Sequence, residues 1–199
     1  GRRLGKQDGE AKERARNCGE ARYAAQQAKT QKGKKKQEEG RKRSKMKRGY
    51  FISFEGVDGS GKSTQIELLK DFLESRGYEV VLTREPGGTE IGEKIRDIIL
   101  DPSNSGMDHM TEALLYAASR AQHVRQVIAP AVESGKVVIC DRFVDSSIAY
   151  QGYGRELGKC VEDINRYAVS GYMPDMTFLM KVNLNVGSDR IKGRRRDRI

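Results

Sequence analysis

The chain reads as an α/β fold in which a parallel sheet is covered by helices on both faces. Three observations predict this. Short, nearly continuous apolar runs such as Tyr50-Phe51-Ile52-Ser53-Phe54 and Lys136-Val137-Val138-Ile139-Cys140 alternate with helical patterns, as expected of strands buried on both faces. The segment Gly56-Val57-Asp58-Gly59-Ser60-Gly61-Lys62-Ser63 fits the phosphate-binding pattern G-x-x-x-x-G-K-S/T directly after the first run. A helical pattern then opens, with Ile66, Leu69 and Leu73 on one face and Phe72 beside them.

The remaining elements follow in order. Glu79–Thr83 predicts a second strand, and Thr89–Leu100 an amphipathic helix with Ile91, Ile95, Ile98 and Ile99 inward. A longer helical pattern covers Met110 to Glu133 and is interrupted near Pro130. The third strand, 136–140, runs into Asp141. Helical segments follow at Ser146–Gly152 and Cys160–Val169, then a fourth strand at Met176–Val182 and the start of a helix at Val186–Lys192. Ligands of such folds sit at the carboxyl ends of the strands, where the phosphate-binding segment lies.

In that segment, glycines let successive backbone N–H groups turn inward around phosphate oxygens. Lys62 then reaches the outer phosphates, the Ser63 hydroxyl helps hold Mg²⁺, and the helix N-terminus adds positive potential. The segment predicts a nucleoside triphosphate site.

Charge divides the chain. Residues 1–48 carry 18 of the 38 Lys and Arg and 6 of the 28 Asp and Glu, a net of +12, which leaves the other 151 residues at −2. The first stretch, with Lys34-Lys35-Lys36 and Arg41-Lys42-Arg43, holds one Leu and one Met and no Val, Ile or Phe. It buries too little apolar surface to offset its ordering entropy and is expected to be disordered. Three readings stand open for it. A block of like charge suits nucleic acid. A targeting sequence is disfavoured by the six acidic residues and the missing apolar core. The third reading places residues 1–45 outside the native protein, because Met46-Lys47-Arg48-Gly49-Tyr50 resembles an ordinary start; on this reading they are dispensable for nucleotide binding.

Cys18, Cys140 and Cys160 show no C-x-x-C spacing, and His109 and His123 lack neighbours at ligand spacing. No apolar stretch approaches the ~20 residues needed to cross a bilayer. A soluble, cytoplasmic protein is expected.

No Asn-Lys-x-Asp base-reading motif of GTPases occurs. Five segments resemble the thymidylate kinase family: Phe54-Glu55-Gly56-Val57-Asp58-Gly59-Ser60-Gly61-Lys62-Ser63-Thr64; Thr83-Arg84-Glu85-Pro86-Gly87-Gly88-Thr89; Ala117-Ala118-Ser119-Arg120; Asp141-Arg142-Phe143; and Asp145-Ser146-Ser147-Ile148-Ala149-Tyr150-Gln151-Gly152. The resemblance runs from about residue 48 to the last residue. It implies a P-loop nucleoside monophosphate kinase fold, γ-phosphoryl transfer from ATP to dTMP giving dTDP and ADP, Mg²⁺, and a homodimer. Gly56 to Thr64 are then the ATP-binding residues. Arg84 clamps the acceptor phosphate, Arg142 reaches the phosphates, and Asp141 supports the metal beside Ser63. Tyr116 and Arg120, four apart on one helix face, stack on and contact thymine. Gln151 bonds the base, with Ser147 on the same face, and Tyr150 walls the sugar. Asp58 accepts from the sugar 3′-hydroxyl, and Arg96 is a weaker candidate near the nucleotide. The resemblance also implies a cis Glu85–Pro86 peptide.

The last segment, Gly193-Arg194-Arg195-Arg196-Asp197-Arg198-Ile199, resembles the lid of the bacterial type, whose arginines supply the transition-state cation. Arg194, Arg195 and Arg196 are all candidates. Two departures stand out. Lys181 occupies a strand end where the family usually has an acidic or amide residue, and the chain stops where the family continues. A fragment truncated after the lid is therefore expected, poorly stable and nearly inactive by itself. The alternatives are another P-loop nucleoside monophosphate kinase, or a nucleic-acid-associated NTP-binding module using the basic tail. Nucleic acid and membrane are not expected partners of the kinase reading.

Overall fold

A computed structural model of the chain describes residues 48–182. The basic stretch 1–45, the helix expected at Val186–Lys192 and Arg194, Arg195 and Arg196 lie outside the described residues. Among the described residues, four strands form one parallel sheet in the order β2-β3-β1-β4. They are β1 (Phe51–Glu55), β2 (Val80–Arg84), β3 (Val137–Asp141) and β4 (Met176–Leu179). This is the predicted fold class.

Period-two alternation splits the apolar residues between two faces. Phe51, Val138, Cys140 and Val81 pack on Val124, Ile128, Val132 and Val169. Ile52, Phe54, Val137, Ile139, Val80 and Leu82 pack on Ile66, Leu69 and Leu73 of α1 (Lys62–Ser75). Both faces of β3 are covered, which is why its run is continuously apolar.

Strand ends depart from expectation because the ladder, not the apolar run, sets them. β1 extends through Glu55, whose carbonyl accepts from Met180 N at 2.7 Å. β2 ends at Arg84, in register with Asp141 at the end of β3. β4 stops at Leu179 rather than Val182, because its partner β1 ends opposite it at Glu55.

Helix α2 (Glu90–Leu100) is capped by the Thr89 hydroxyl, which accepts from Gly92 N at 2.9 Å. Its Ile99 is buried, but Ile91 and Ile98, expected inward, are 50% and 48% exposed. The correction has a packing cause: α2 lies against α3 (His109–His123), not against the sheet, so a narrower stripe is buried. Asp108 caps α3 by accepting from Met110 N at 2.9 Å. The expected break near Pro130 occurs just before it, as a π-turn over Val124–Ile128, followed by α4 (Ala129–Glu133). Pro130 lacks an N–H and its ring crowds the carbonyl four residues back, so the preceding turn widens. The helix expected at Ser146–Gly152 is α5 (Val144–Ser147) continued by a π segment, Ile148–Gly154. Helix α6 (Cys160–Val169) lies as expected.

Ile128 is fully buried at the junction of the π-turn with the sheet. Ile128→Ala is expected to lower unfolding free energy by about 3 kcal/mol, through lost transfer energy and a residual cavity. Urea denaturation followed by circular dichroism checks this, and a change under about 0.5 kcal/mol would place Ile128 outside the core.

Candidate functional site

The loop from β1 to α1 needs glycine where its backbone turns left-handed, with φ of 75° at Gly59 and 92° at Gly61. Lys62 opens α1 with a buried side chain, and its Nζ donates to the carbonyls of Gly56 at 3.0 Å and Val57 at 3.3 Å. The lysine thus arches over its own loop. Ser60 Oγ is buried without a hydrogen-bond partner.

At the end of β3, Arg142 takes a left-handed backbone (φ 70°) and its N–H donates to Phe54 O at 2.9 Å. Its guanidinium donates to Asp58 Oδ1 at 2.6 Å and to Ser146 Oγ at 3.2 Å, and lies 5.6 Å from the Tyr150 ring centre. Glu55, in the last position of β1, fixes this turn by accepting from Phe143 N at 2.7 Å and Ser146 Oγ at 2.6 Å. Arg84 ends β2 and pairs with Glu93 at 2.8 Å, while Arg96 donates to Pro86 O at 2.9 Å. The Glu85–Pro86 peptide is cis, as expected.

The third wall comes from α3 and the 143–154 segment. Tyr116 is half-buried, but Arg120 is 1% exposed. Its Nε donates to Glu85 Oε2 at 2.7 Å, Nη1 to Ser147 Oγ at 3.0 Å and to Asn165 Oδ1, and Nη2 to Phe143 O at 3.0 Å. Arg120 is an internal brace that also reaches the site. Gln151 is buried and its Nε2 donates to Glu112 Oε1 at 2.9 Å.

These elements enclose one cavity of about 760 Å³. Asp58, Gly59, Ser60, Gly61, Lys62, Ser63 and Thr64 line one end. Arg84, Arg96, Tyr116, Arg120, Asp141, Arg142, Ser147, Tyr150 and Gln151 line the rest. Gly56 and Val57 are not among the lining residues; their carbonyls hold Lys62 instead. The sequence reading assigned no role to Glu55, Glu85, Glu112 and Asn165, which hold the turn at Phe143, Arg120 and Gln151 in place. Glu112 was findable, since it precedes Tyr116 and Arg120 at the same four-residue spacing. Asn165 carried no signal, because only the fold brings α6 to Arg120.

Burial shapes the charges. It pushes the Lys62 ammonium below its ordinary range, with Arg142 adding to the effect and Asp141 opposing it. Burial raises the Asp141 carboxyl above 3.8 although Lys62 and Arg142 pull it down. Asp141 Oδ1 is buried without a partner, and Ser63 lines the same cavity. Oxygen donors of this kind fit a hard divalent cation that keeps further ligands from water or phosphate. Among the described residues no group of three or more His, Cys, Asp or Glu could hold a metal alone.

A carboxyl whose folded pKa is raised weakens the fold once it is ionised. Asp141→Asn is therefore expected to raise the melting temperature at pH 7. The gain should shrink as pH falls through the raised value and vanish below about 3.8. Melting curves across pH check this; a loss of stability at pH 7 would contradict it.

The family model for thymidylate kinase matches residues 54–199. The chain is 54% identical over 147 residues to a thymidylate kinase of Halothermothrix orenii, covering 73% of this chain and 70% of that protein. It is 55% identical over 155 residues to one of Pelotomaculum thermopropionicum, covering 76% and 72%. A crystal structure of thymidylate kinase from Ehrlichia chaffeensis aligns with a TM-score of 0.63 and 41% identity, over 72% of this chain and 82% of that one. The fold is that of a P-loop nucleoside monophosphate kinase, and the chain belongs to the thymidylate kinase family.

Proposed function

We propose that the chain transfers the γ-phosphoryl group of ATP to dTMP, giving dTDP and ADP on the route to dTTP. The observation that carries this reading is a cavity lined both by the 58–64 loop and by Tyr116, Arg120 and Gln151. Catalysis of this kind is mostly positioning and charge stabilisation, because the transition state is loose and spreads charge over the phosphoryl oxygens. Lys62 leaves the Gly56 and Val57 carbonyls for the outer phosphates of ATP, and the Gly59–Ser63 amides cradle them. Arg84 exchanges Glu93 for the acceptor phosphate. Arg142 holds donor and acceptor phosphates together, and Asp58, released from it, accepts from the sugar 3′-hydroxyl. Tyr116 stacks on the base, Tyr150 walls the sugar, and Arg96 supports the acceptor side from Pro86. Ser63 and Asp141 would hold Mg²⁺, which when bound would supply positive charge to the phosphate oxygens. Arg194, Arg195 and Arg196 are assigned the lid role.

The kinase domain is assigned to residues 46–199, supported by a family match that begins at residue 54. The basic stretch 1–45 is given no part in catalysis. We place the reaction in the cytoplasm, where the free thiols of Cys140 and Cys160 stay reduced. Among the described residues, no helix is long and apolar enough to cross a membrane.

An acceptor screen with ATP and Mg²⁺ tests the reaction. Activity should be highest with dTMP, lower with dUMP and at least a hundredfold lower with dGMP and CMP. Arg142→Met should lose at least a hundredfold in kcat, as expected for a group stabilising transferred charge. Preference for dGMP or CMP would defeat the reading.

A second copy of the chain is the proposed occupant of the α2–α3 surface. Ile91 and Ile98 lie seven apart on α2, and Leu114 lies on the adjoining α3, all close to half exposed. A pair of packed helices offers a self-complementary patch suited to two-fold symmetry. Ile98→Asp should halve the mass measured by sedimentation equilibrium; an unchanged mass would exclude this surface.

A further inference from the structure

The side chain of Gln151 lies in the cavity wall with its polarity fixed from behind. Its Nε2 donates to Glu112 Oε1 at 2.9 Å. Glu112 is fully buried on α3, one turn before Tyr116, and Arg155 donates to it through Nε and Nη2, each at 3.3 Å. With the Arg155 guanidinium donating to both of its oxygens, the Glu112 carboxylate faces Gln151 as an acceptor. Turning the Gln151 amide over would set two oxygens face to face in a buried space, at the cost of an unmade bond. The amide nitrogen is therefore committed to Glu112, and the carbonyl oxygen is the end left for a ligand.

We infer that Glu112, held by Arg155, is a specificity-determining positioning residue: it fixes Gln151 as an acceptor, so the site selects pyrimidines that carry a ring N–H. This rests on the assignment of a pyrimidine nucleotide to the cavity. Thymine and uracil offer a ring N–H beside a carbonyl. The N–H meets the Gln151 oxygen and the carbonyl meets the guanidinium of Arg120, which also lines the cavity. Cytosine offers a bare ring nitrogen beside an amino group, so acceptor faces acceptor and donor faces donor. A site built to satisfy a particular hydrogen-bond polarity rejects the mismatched ligand strongly, because its own buried groups go unpaired. A free-swinging glutamine would accept either base. Glu112 removes that freedom without touching the ligand.

Isothermal titration of the full chain with dTMP, dUMP and dCMP tests this. The parent should bind dTMP and dUMP in preference to dCMP. In Glu112→Gln the new amide can turn either way, so the preference for dTMP over dCMP should fall at least tenfold. The ratio of dTMP to dUMP should stay within twofold, because both carry the ring N–H. Arg155→Met, at a side chain 29% exposed, should shift the ratio in the same direction by less, and it serves where Glu112→Gln fails to fold by circular dichroism. A folded variant that keeps the parent's ratio of dTMP to dCMP overturns the inference and leaves the dTMP assignment standing. General loosening, which weakens all three ligands together, has the same consequence. A parent chain that binds no dTMP removes the assignment itself, and the inference with it.

Discussion

The carboxylate of Glu85 is shared between two buried partners, and the shape of the site follows from that sharing. One oxygen takes Arg120 Nε and the other faces His123 Nδ1 at 2.9 Å, with His123 Nε2 2.6 Å from Thr83 Oγ1. Arg120 carries the connection onward to Ser147, Asn165 and the Phe143 carbonyl, and lies 5.2 Å from the Phe143 ring centre. The end of β2, helix α3, the turn after β3 and helix α6 therefore meet at one guanidinium. A buried charge left without its partner costs about 3–5 kcal/mol, against a total stability of about 5–15 kcal/mol for an ordinary domain. The arrangement holds only as a set, and it holds the cavity open between elements distant in sequence.

The cations at the phosphate end are bound differently. Arg84 pairs with Glu93 where both side chains are exposed, and Arg142 pairs with an Asp58 that is itself exposed. Lys62 donates to two backbone carbonyls and lies 3.9 Å from the same exposed Asp58 carboxylate. Exposed ion pairs contribute about 0–1 kcal/mol, so exchanging them for a phosphate is inexpensive, whereas a bidentate guanidinium–phosphate contact is stronger. Residues 49–199 carry a net charge of −2, so this part of the chain offers phosphates local positive groups rather than an overall field. The ion pairs beside the Lys62 loop have exposed members and exchange readily, whereas the one at Arg120 is buried and rigid.

The split between local and tertiary information explains what the sequence disclosed. The P-loop, the strand order of appearance and the fold class were legible because glycine spacing and apolar periodicity are local. Most cavity-lining residues were named through motif resemblance, and Arg120 was among them. Its burial was not visible, because Asn165 and Phe143 reach it only after folding. Ile91 and Ile98 were misplaced for a related reason: a helix pattern shows which residues are apolar, not whether the apolar stripe meets a sheet or a single neighbouring helix. The end of β4 was overrun because a strand can be no longer than the partner it pairs with, and the partner is not next to it in sequence.

Glu55 shows what the fold accepts in order to aim one guanidinium. A left-handed backbone at a residue other than glycine costs about 1–2 kcal/mol, and Arg142 has one. The turn is held by Glu55, whose own burial raises its carboxyl above 4.5 although hydrogen bonds from Ser146 and Phe143 draw it down. With the folded value above the unfolded one, the stability tied to this group is full below pH 4.5 and lost as pH rises through the raised value. The same corner therefore carries both a strained backbone and a carboxyl whose ionisation burial opposes. Packing alone gains nothing from that combination, since an apolar residue at position 55 and a glycine at position 142 would avoid both costs. What such replacements would lose is a guanidinium pointed at Asp58 beside the Lys62 loop. The two costs fall together beside the Lys62 loop, at the place the proposed reaction assigns to the phosphates, and strain and displaced pKa values cluster at such sites.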